Sequence, residues 1–422
     1  MLDTIFALSS GALPAGIAII RISGERAGAA LVALAGALPE PRHASLRRLR
    51  DARGDLLDEA VVLWFPGPAT ATGEDLAELH CHGGRAVVAA VLAELAGIAG
   101  LREAEAGEFT RRGFLNGRID LAQAEGLGDL LAAETEWQRR IALGSAGGQL
   151  SRQVEAWRGS LLGLAAQVEA AIDFSDEGDV GEIPPALEGE IAELRWQIAD
   201  VLTRPAAERV RDGIRVVFAG PPNAGKSSLF NAILQDSAAI VSAEAGTTRD
   251  LIERPVAIDG VAFVLVDTAG LRDSGAGEIE AIGIDRAQSA IAGADIVLWL
   301  GAAQDAPPAS LRVASKSDLA RKDAADFEVS AVTGRGVPEL IAGLVARARE
   351  ILPPPDAIAM NRRQRSLSSE AERALGRAGG IADPLLLAEE LRVARRALDA
   401  VLGRESTEEM LDALFGKFCV GK

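Results

Sequence analysis

The residues that most restrict what this chain can become run from Ile214 to Ser228, reading IRVVFAGPPNAGKSS. Ile214, Val216, Val217, Phe218 and Ala219 make a short apolar run that predicts a buried parallel strand. The run ends at Gly220-Pro221-Pro222-Asn223-Ala224-Gly225-Lys226-Ser227, a G-x-x-x-x-G-K-S sequence. Gly220 and Gly225 let backbone N–H groups close around phosphate, Lys226 brings charge to the terminal phosphates, and the Ser227 hydroxyl suits Mg²⁺. A helix opening near Ser227 adds its positive end. Nucleotide contacts are therefore expected on Asn223, Ala224, Gly225, Lys226, Ser227 and Ser228.

Downstream residues decide which nucleotide. Phe263 to Gly270 reads as a strand closing in D-T-A-G: Asp267 faces Mg²⁺, Thr268 and Ala269 continue the turn, and Gly270 offers an N–H to the γ-phosphate. Between the two motifs, Gly246-Thr247-Thr248-Arg249-Asp250 is a polar loop in which a threonine can complete the metal shell. Guanine is read by N-K-x-D, whose Asp accepts two N–H groups of the base. The matching residues here are Ser315, Lys316 and Asp318, so the Asp is kept and Ser replaces Asn, a change expected to loosen the loop or weaken base contact. Ser330-Ala331 then fits the last guanine loop. Only a short connection separates Asp295–Trp299 from Ser315, so any helix in that crossover is expected to be truncated. The residue after D-x-x-G is Leu271, which cannot orient water, and Glu278 and Glu280 are the acidic candidates for that task. A monovalent cation is a further candidate, with oxygens from Asn223 and from the Ser242–Thr247 loop.

The rest of the chain frames this domain. At 422 residues there is room for roughly two to four domains, and 48% hydrophobic with 25% charged residues describes an ordered globular protein. No apolar run approaches the ~20 residues of a membrane span. MLDTIFALSSG also lacks the basic start of a signal peptide. The expectation is a cytoplasmic protein without a membrane partner. Cys81 and Cys419 are too far apart in sequence for a disulfide framework. A net charge of −17 argues against generic nucleic-acid binding, so an RNA contact needs a local basic patch or a partner's surface.

Residues 1–115 read as α+β, with strands at Ala18–Ile22, Ala60–Phe65 and Leu76–His80 and helices at Glu25–Ala37 and Arg85–Leu95. Alternation puts Glu78 and His80 on one face. Residues 116–211 turn helical: Leu150, Val154, Trp157, Leu161, Leu164, Val168 and Ile172 form one stripe, and Leu187, Ile191, Leu194, Ile198 and Val201 another, with an acidic break from Asp173 to Glu182 between them. Residues 212–352 hold the nucleotide motifs, and Pro353-Pro354-Pro355 marks a linker. Residues 353–422 are helical again, with a stripe of Leu387, Leu391, Ala394, Leu398 and Val401 and a capping box expected at Ser406-x-x-Glu409. The predicted architecture is α/β plus all-α: a P-loop GTPase domain inserted in a helical domain behind an α+β module.

This layout, with Ile20-Arg21-Ile22-Ser23-Gly24, Gly73-Glu74-Asp75 through His82-Gly83-Gly84, Gly107-Glu108-Phe109-Thr110, Phe114-Leu115-Asn116-Gly117, Gln123-Ala124-Glu125 and a terminal Cys419-Val420-Gly421-Lys422, resembles the MnmE (TrmE) family of tRNA modification GTPases over nearly the full length. The resemblance implies a tetrahydrofolate-binding-like N-terminal domain that forms a homodimer and takes 5-formyltetrahydrofolate or a related reduced folate. Its folate contacts fall on Arg21, Glu78, Arg118 and Lys422, where Arg118 keeps the charge but not the geometry of the usual Lys. It further implies K⁺ on Asn223, Ser242, Glu244 and Thr247, Mg²⁺ on Ser227 and Thr248, and a water-orienting Glu280. Ala243, Ala245 and Gly246 complete that GTP loop. The implied reaction builds an aminomethyl-type group on C5 of wobble uridine 34 of certain tRNAs, jointly with the FAD-dependent partner MnmG. Cys419 has two readings, a nucleophilic or redox thiol and a packing residue. Two rival functions are a ribosome-assembly GTPase of the Era or Der type and a nucleotide-gated scaffold without catalysis.

Overall fold

A computed structural model describes residues 3–173, 184, 186–236, 252–268, 288–319 and 325–421. It gathers into two units, Met1–Gly128 with Leu402–Lys422, and Asp129–Val401.

Alternating apolar and polar residues build the sheet of the first unit. Its elements are β1 (Thr4–Leu8), β2 (Ile17–Ser23), α1 (Ala27–Ala35), β3 (Ser45–Arg50), β4 (Leu56–Phe65), β5 (Leu76–His82), α2 (Arg85–Gly97), β6 (Leu101–Glu103), α3 (Glu108–Leu115) and α4 (Leu121–Ala132). The sheet order is β3-β4-β5-β2-β1-β6, antiparallel except for the parallel β1–β6 pair. One face buries Ile20, Ile22, Val62, Trp64, Ala77, Leu79 and Cys81 together with Leu31 and Leu34 of α1 and Val88, Val91 and Leu95 of α2. Arg21, Glu78 and His80, out of phase with that set, are half-buried on the other. β1, β3 and β6 are additional to the strands that alternation picks out; β3 buries only Leu49 among its arginines.

The C-terminal helix Glu408–Phe415 belongs to this unit and packs Leu411 and Phe415 with Leu121 and Ala124. Its cap corrects the expected box at Ser406. Thr407 is the N-cap, accepting from the Met410 amide at 3.3 Å, while the Ser406 hydroxyl donates to the Gly403 carbonyl at 2.8 Å. Starting one residue later makes Met410 the third helical residue, and a thioether cannot reciprocate. The tail then runs against β1: Gly421 has φ +92°, and a Cβ there would lie 2.2 Å from the Leu8 carbonyl oxygen, so only glycine fits.

In the second unit, α5 (Glu136–Ala146), α6 (Gln149–Asp173), α7 (Ala186–Thr203) and α8 (Glu208–Arg211) precede the inserted domain. α11 (Arg362–Ala378) and α12 (Pro384–Val401) follow it. Both long stripes expected before the insertion are buried, except that α6 closes on Ala171 rather than Ile172. The i+3 position from Val168 faces inward there. α6, α7, α11 and α12 pack as a four-helix ring. Arg365 donates to the Leu202 and Arg204 carbonyls at the end of α7, and Arg363 to those of Ala400 and Val401 at the end of α12, satisfying helix C-termini with cations. Asp173 ends α6, and residues 174–182 of the expected acidic break lie outside the described residues.

The inserted domain comprises β7 (Ile214–Ala219), α9 (Lys226–Asp236), β8 (Ile252–Ile258), β9 (Val261–Asp267), β10 (Ile296–Trp299), β11 (Leu311–Ala314), β12 (Phe327–Glu328) and α10 (Val337–Ile351). Its sheet order is β12-β11-β10-β7-β9-β8, parallel except for β8. The short crossover before β11 contains a 3₁₀ turn at Ala303–Asp305, so truncation of that connection is what the structure has. The cut between units falls inside α4, past the sequence boundary at 115/116, and groups residues 402–421 with the N-terminal sheet instead of with the helices they follow.

Candidate nucleotide-binding site

Open parallel sheets bind ligands beyond the carboxyl ends of their strands, where the strand order reverses. Here β7 lies between β9 and β10, and its carboxyl end leads into the glycine-rich loop. Gly220 takes φ +143°, with a Cβ position only 3.0 Å from the Leu300 carbonyl, so the loop can leave the strand only through glycine. Lys226 is buried at 6% exposure, and its Nζ donates to the carbonyls of Gly220 (3.1 Å) and Pro221 (3.0 Å). The ammonium is thereby held inside the loop that a phosphate would enter. Ser227 and Ser228 are exposed on the first turn of α9, where the positive end of the helix dipole favours an anion.

Asp267, 2% exposed, is the register partner of Phe218 at the end of β9. The Thr268 hydroxyl donates to the Phe218 carbonyl at 2.7 Å, which ties the two strand ends together. A buried carboxylate and an exposed hydroxyl at one sheet end are hard oxygen donors suited to Mg²⁺, whose chemistry is to neutralise phosphate charge. Among the described residues these are Asp267 and Ser227.

The base-reading loop is stitched to the phosphate loop. The Ser315 hydroxyl donates to the Ala224 carbonyl, and Lys316 Nζ to the Asn223 carbonyl at 2.8 Å. Asp318 is exposed in the 3₁₀ turn Ser317–Leu319; Ser330 is fully buried, its hydroxyl accepting from the Thr333 amide at 3.3 Å, and Ala331 follows it. Serine in place of asparagine therefore still bridges the two loops. Ser315→Ala is expected to weaken GTP binding about fivefold, the value of one hydrogen bond of about 1 kcal/mol, measured by titration with a fluorescent GTP analogue. Unchanged affinity would mean that the bridge contributes nothing.

Several expected site residues lie outside the described residues: Ser242, Ala243, Glu244, Ala245, Gly246, Thr247, Thr248, Ala269, Gly270, Glu280 and Lys422. Of the expected K⁺ ligands only Asn223 is described. It has φ +60° and its backbone carbonyl accepts from Lys316.

In the N-terminal unit the structure brings Arg21 and Glu78 together as cross-strand partners. Both Nε (3.1 Å) and Nη2 (2.8 Å) of Arg21 donate to Glu78 Oε1, while His80 Nε2 lies 3.2 Å from Oε2. Burial alone would raise the Glu78 carboxyl, but Arg21 and His80 more than offset it and hold it below the usual range. The Arg21 guanidinium also lies over the Phe109 ring, 5.8 Å from its centre. Phe109 is a participant that sequence reasoning missed, because only the packing of α3 against the sheet reveals it. Arg118 is engaged elsewhere, donating from Nε to the Thr70 carbonyl at 3.0 Å. Cys419 is exposed, and its backbone carbonyl accepts from the Gly107 amide. Cys81 is buried on the core side of β5, and burial together with Asp58 pushes its thiol up to about 12. It is not a thiolate at neutral pH.

Arg112, 3% exposed, sits between two carboxylates, Glu74 (3.1 Å) and Glu108 (2.9 Å), and donates to the Asp3 carbonyl. Glu74 in turn accepts from Ser23, whose hydroxyl bonds Thr72. Residues that the family resemblance singles out as motifs thus interlock as one polar network.

A mostly parallel sheet with a phosphate loop at the end of its central strand, joined through Ser315 and Lys316 to a guanine-type loop, defines a P-loop protein of the GTPase class. Residues 4–118 match the family described as GTP-binding protein TrmE N-terminus, and residues 121–419 the MnmE helical domain. The chain is 57% identical over 424 residues to the tRNA modification GTPase MnmE of Erythrobacter litoralis, covering all of both chains. It is 56% identical over 437 residues to that of Novosphingobium aromaticivorans, again covering all of both, and 51% identical over 439 residues to that of Methylobacterium sp., with the same full coverage. The G domain of the T. maritima FeoB iron transporter is 24% identical with a TM-score of 0.25, covering 32% of this chain and 98% of that one. The chain belongs to the MnmE family of tRNA modification GTPases.

Proposed function

We propose that this protein hydrolyses GTP to drive modification of tRNA, building an aminomethyl or carboxymethylaminomethyl group on C5 of wobble uridine 34 together with an FAD-dependent MnmG partner. The observation that carries this reading is full-length identity of 57% to a tRNA modification GTPase, in a chain whose phosphate and guanine loops are joined in one site. Among the described residues no helix is long and apolar enough to cross a membrane; a cytoplasmic location is part of the proposed reading.

A reduced folate such as 5-formyltetrahydrofolate is the one-carbon donor in this reading, bound in the N-terminal unit of a homodimer. The half-buried pair Glu78 and Arg21 supports it: a carboxylate held in its ionised form accepts the paired N–H donors of a pterin. The tail leading to Lys422 passes β1 at Leu8, next to Ala7, the register partner of Arg21. Arg118 would complete the contacts from the Thr70 loop. In the G domain, GTP is held with Mg²⁺ on Ser227 and Thr248 and with K⁺ on Asn223, Ser242, Glu244 and Thr247, and Glu280 orients water. Held on those oxygens, K⁺ would supply positive charge in place of an external activating group and would favour pairing of two G domains. Cys419 is kept as a candidate thiol for the tRNA chemistry.

Mass spectrometry of tRNA nucleosides from a strain lacking the gene tests the reaction, with unmodified wobble uridine expected to accumulate. An unchanged nucleoside profile would favour a ribosome-assembly role. GTP turnover in KCl against NaCl at equal ionic strength tests the cation. The rate is expected to fall in NaCl, and equal rates would remove K⁺ from the mechanism.

A further inference from the structure

The first turn of α5 lies outside the G domain in sequence yet bonds to the turn between its first two strands after the phosphate loop and to both chain segments that flank the domain. The Trp137 amide donates to the Gly260 carbonyl at 3.1 Å, in the turn between β8 and β9. Gln138 Nε2 donates to the carbonyls of Val210 and Arg211, both at 3.1 Å, where the chain enters β7. Trp137 Nε1 donates to the Pro353 carbonyl at 3.1 Å, where the chain leaves the domain. One turn on, Ile141 is buried in the same apolar cluster as Val210 and Ile214, and Arg140 pairs with Asp356 at 2.9 Å.

These contacts meet the amino-terminal ends of β7 and β9, whose carboxyl ends carry the phosphate loop and Asp267. The link from Gly260 to Asp267 is stiff. Asp259 and Gly260 both have positive φ, forming a two-residue turn with Ile258 paired to Val261, and β9 runs straight from there for roughly 20 Å. An axial shift of β9 against β7 at the phosphate end therefore displaces Gly260 relative to the start of β7 at Ile214, which follows Val210 and Arg211 of α8 closely in the chain. Trp137 and Gln138, adjacent on one helix turn, are bonded to opposite sides of that displacement.

We propose that Trp137 and Gln138 are positioning residues that register the axial placement of β9 relative to β7 and pass nucleotide state to the helical bundle through α5. This rests on the GTP-driven reading above. α5 is well built for the task, because its N-terminus is rigidly capped. Gln138 Oε1 accepts from the Glu134 and Thr135 amides and the Thr135 hydroxyl accepts from the Gln138 amide, so one side chain both caps the helix and grips the strand entry.

The primary test is amide hydrogen exchange of the full-length protein with GDP and with a non-hydrolysable GTP analogue. Exchange at the Trp137 amide is expected to differ about tenfold between the two states; identical exchange overturns the proposal. The second arm uses Gln138→Glu, which keeps the capping acceptor and removes the donor to Val210 and Arg211, and Trp137→Phe, which removes the donor to Pro353. GTP turnover is expected to stay within about twofold while tRNA modification in the presence of the MnmG partner falls about fivefold or more. A parallel fall in both activities would show that α5 only holds the fold, and would also overturn the proposal. Should the wild type modify no tRNA while exchange still depends on nucleotide, the functional reading fails and the relay stands.

Discussion

Lys226→Ala protein is expected to bind and turn over GTP poorly, with kcat lower by about 10²–10³, the usual loss when a preorganised charge facing a transferring phosphoryl group is removed. Among the described residues no neighbour stands in its place. Lys226 is the buried cation within the loop, held by the Gly220 and Pro221 carbonyls, whereas Lys316 is committed to the Asn223 carbonyl on the base side. Lys226→Arg should be nearly as damaging, since a guanidinium cannot occupy the same 3.1 Å and 3.0 Å positions as a point-like ammonium. Phosphate release at saturating GTP and Mg²⁺ in KCl measures the effect, with far-UV circular dichroism as the folding control. Turnover within about threefold of wild type would mean that the loop is not the hydrolytic site, since one misplaced charge there should cost far more.

The phosphate loop was legible because its chemistry is local. Two glycines, a lysine and a serine at fixed spacing need no partner from elsewhere in the chain to be recognised. Helical stripes were legible for the same reason, and Leu150 to Val168 and Leu187 to Val201 are buried as their period predicts. The short crossover was legible from length alone.

What sequence did not give depends on register and on single-residue phase. Arg21 meets Glu78 because β2 and β5 pair in one register out of many, and Phe109 reaches the pair from a helix far along the chain. Ser315 looks like a loss against the usual Asn until its hydroxyl is seen on the Ala224 carbonyl. The final helix cap shifted by one residue because Ser406 and Thr407 are chemically interchangeable as caps, and only backbone geometry selects between them. β3 escaped notice since an edge strand carrying Arg47, Arg48 and Arg50 lacks the apolar alternation of a central one.

The largest stability effect is expected at Arg112. Arg112→Met keeps the apolar stem and removes the charge from between Glu74 and Glu108, leaving two largely buried carboxylates facing one gap, at a cost of about 3–5 kcal/mol. Glu108 is the more telling partner. Burial would raise its carboxyl, but hydrogen bonds from Arg102, from the Glu105 amide and from Arg112 bring it down to about 2 from 4.5. A carboxyl with a depressed folded-state pKa contributes stability that is fully present above 4.5 and is lost as the pH falls toward 2. Glu108→Gln should therefore destabilise the N-terminal unit at neutral pH, and the gap to wild type should close across that acidic window. Native-state hydrogen exchange of amides in β2 and β5 reads this unit within the whole chain, where a single melting temperature would not. A loss under about 1 kcal/mol in Arg112→Met, against the several expected for an orphaned buried pair, would reduce the network to surface decoration. The consequence reaches the candidate folate face. Glu108 and Arg112 anchor α3, and α3 carries the Phe109 ring on which Arg21 lies, so loosening the network should also release Arg21 from its place beside Glu78.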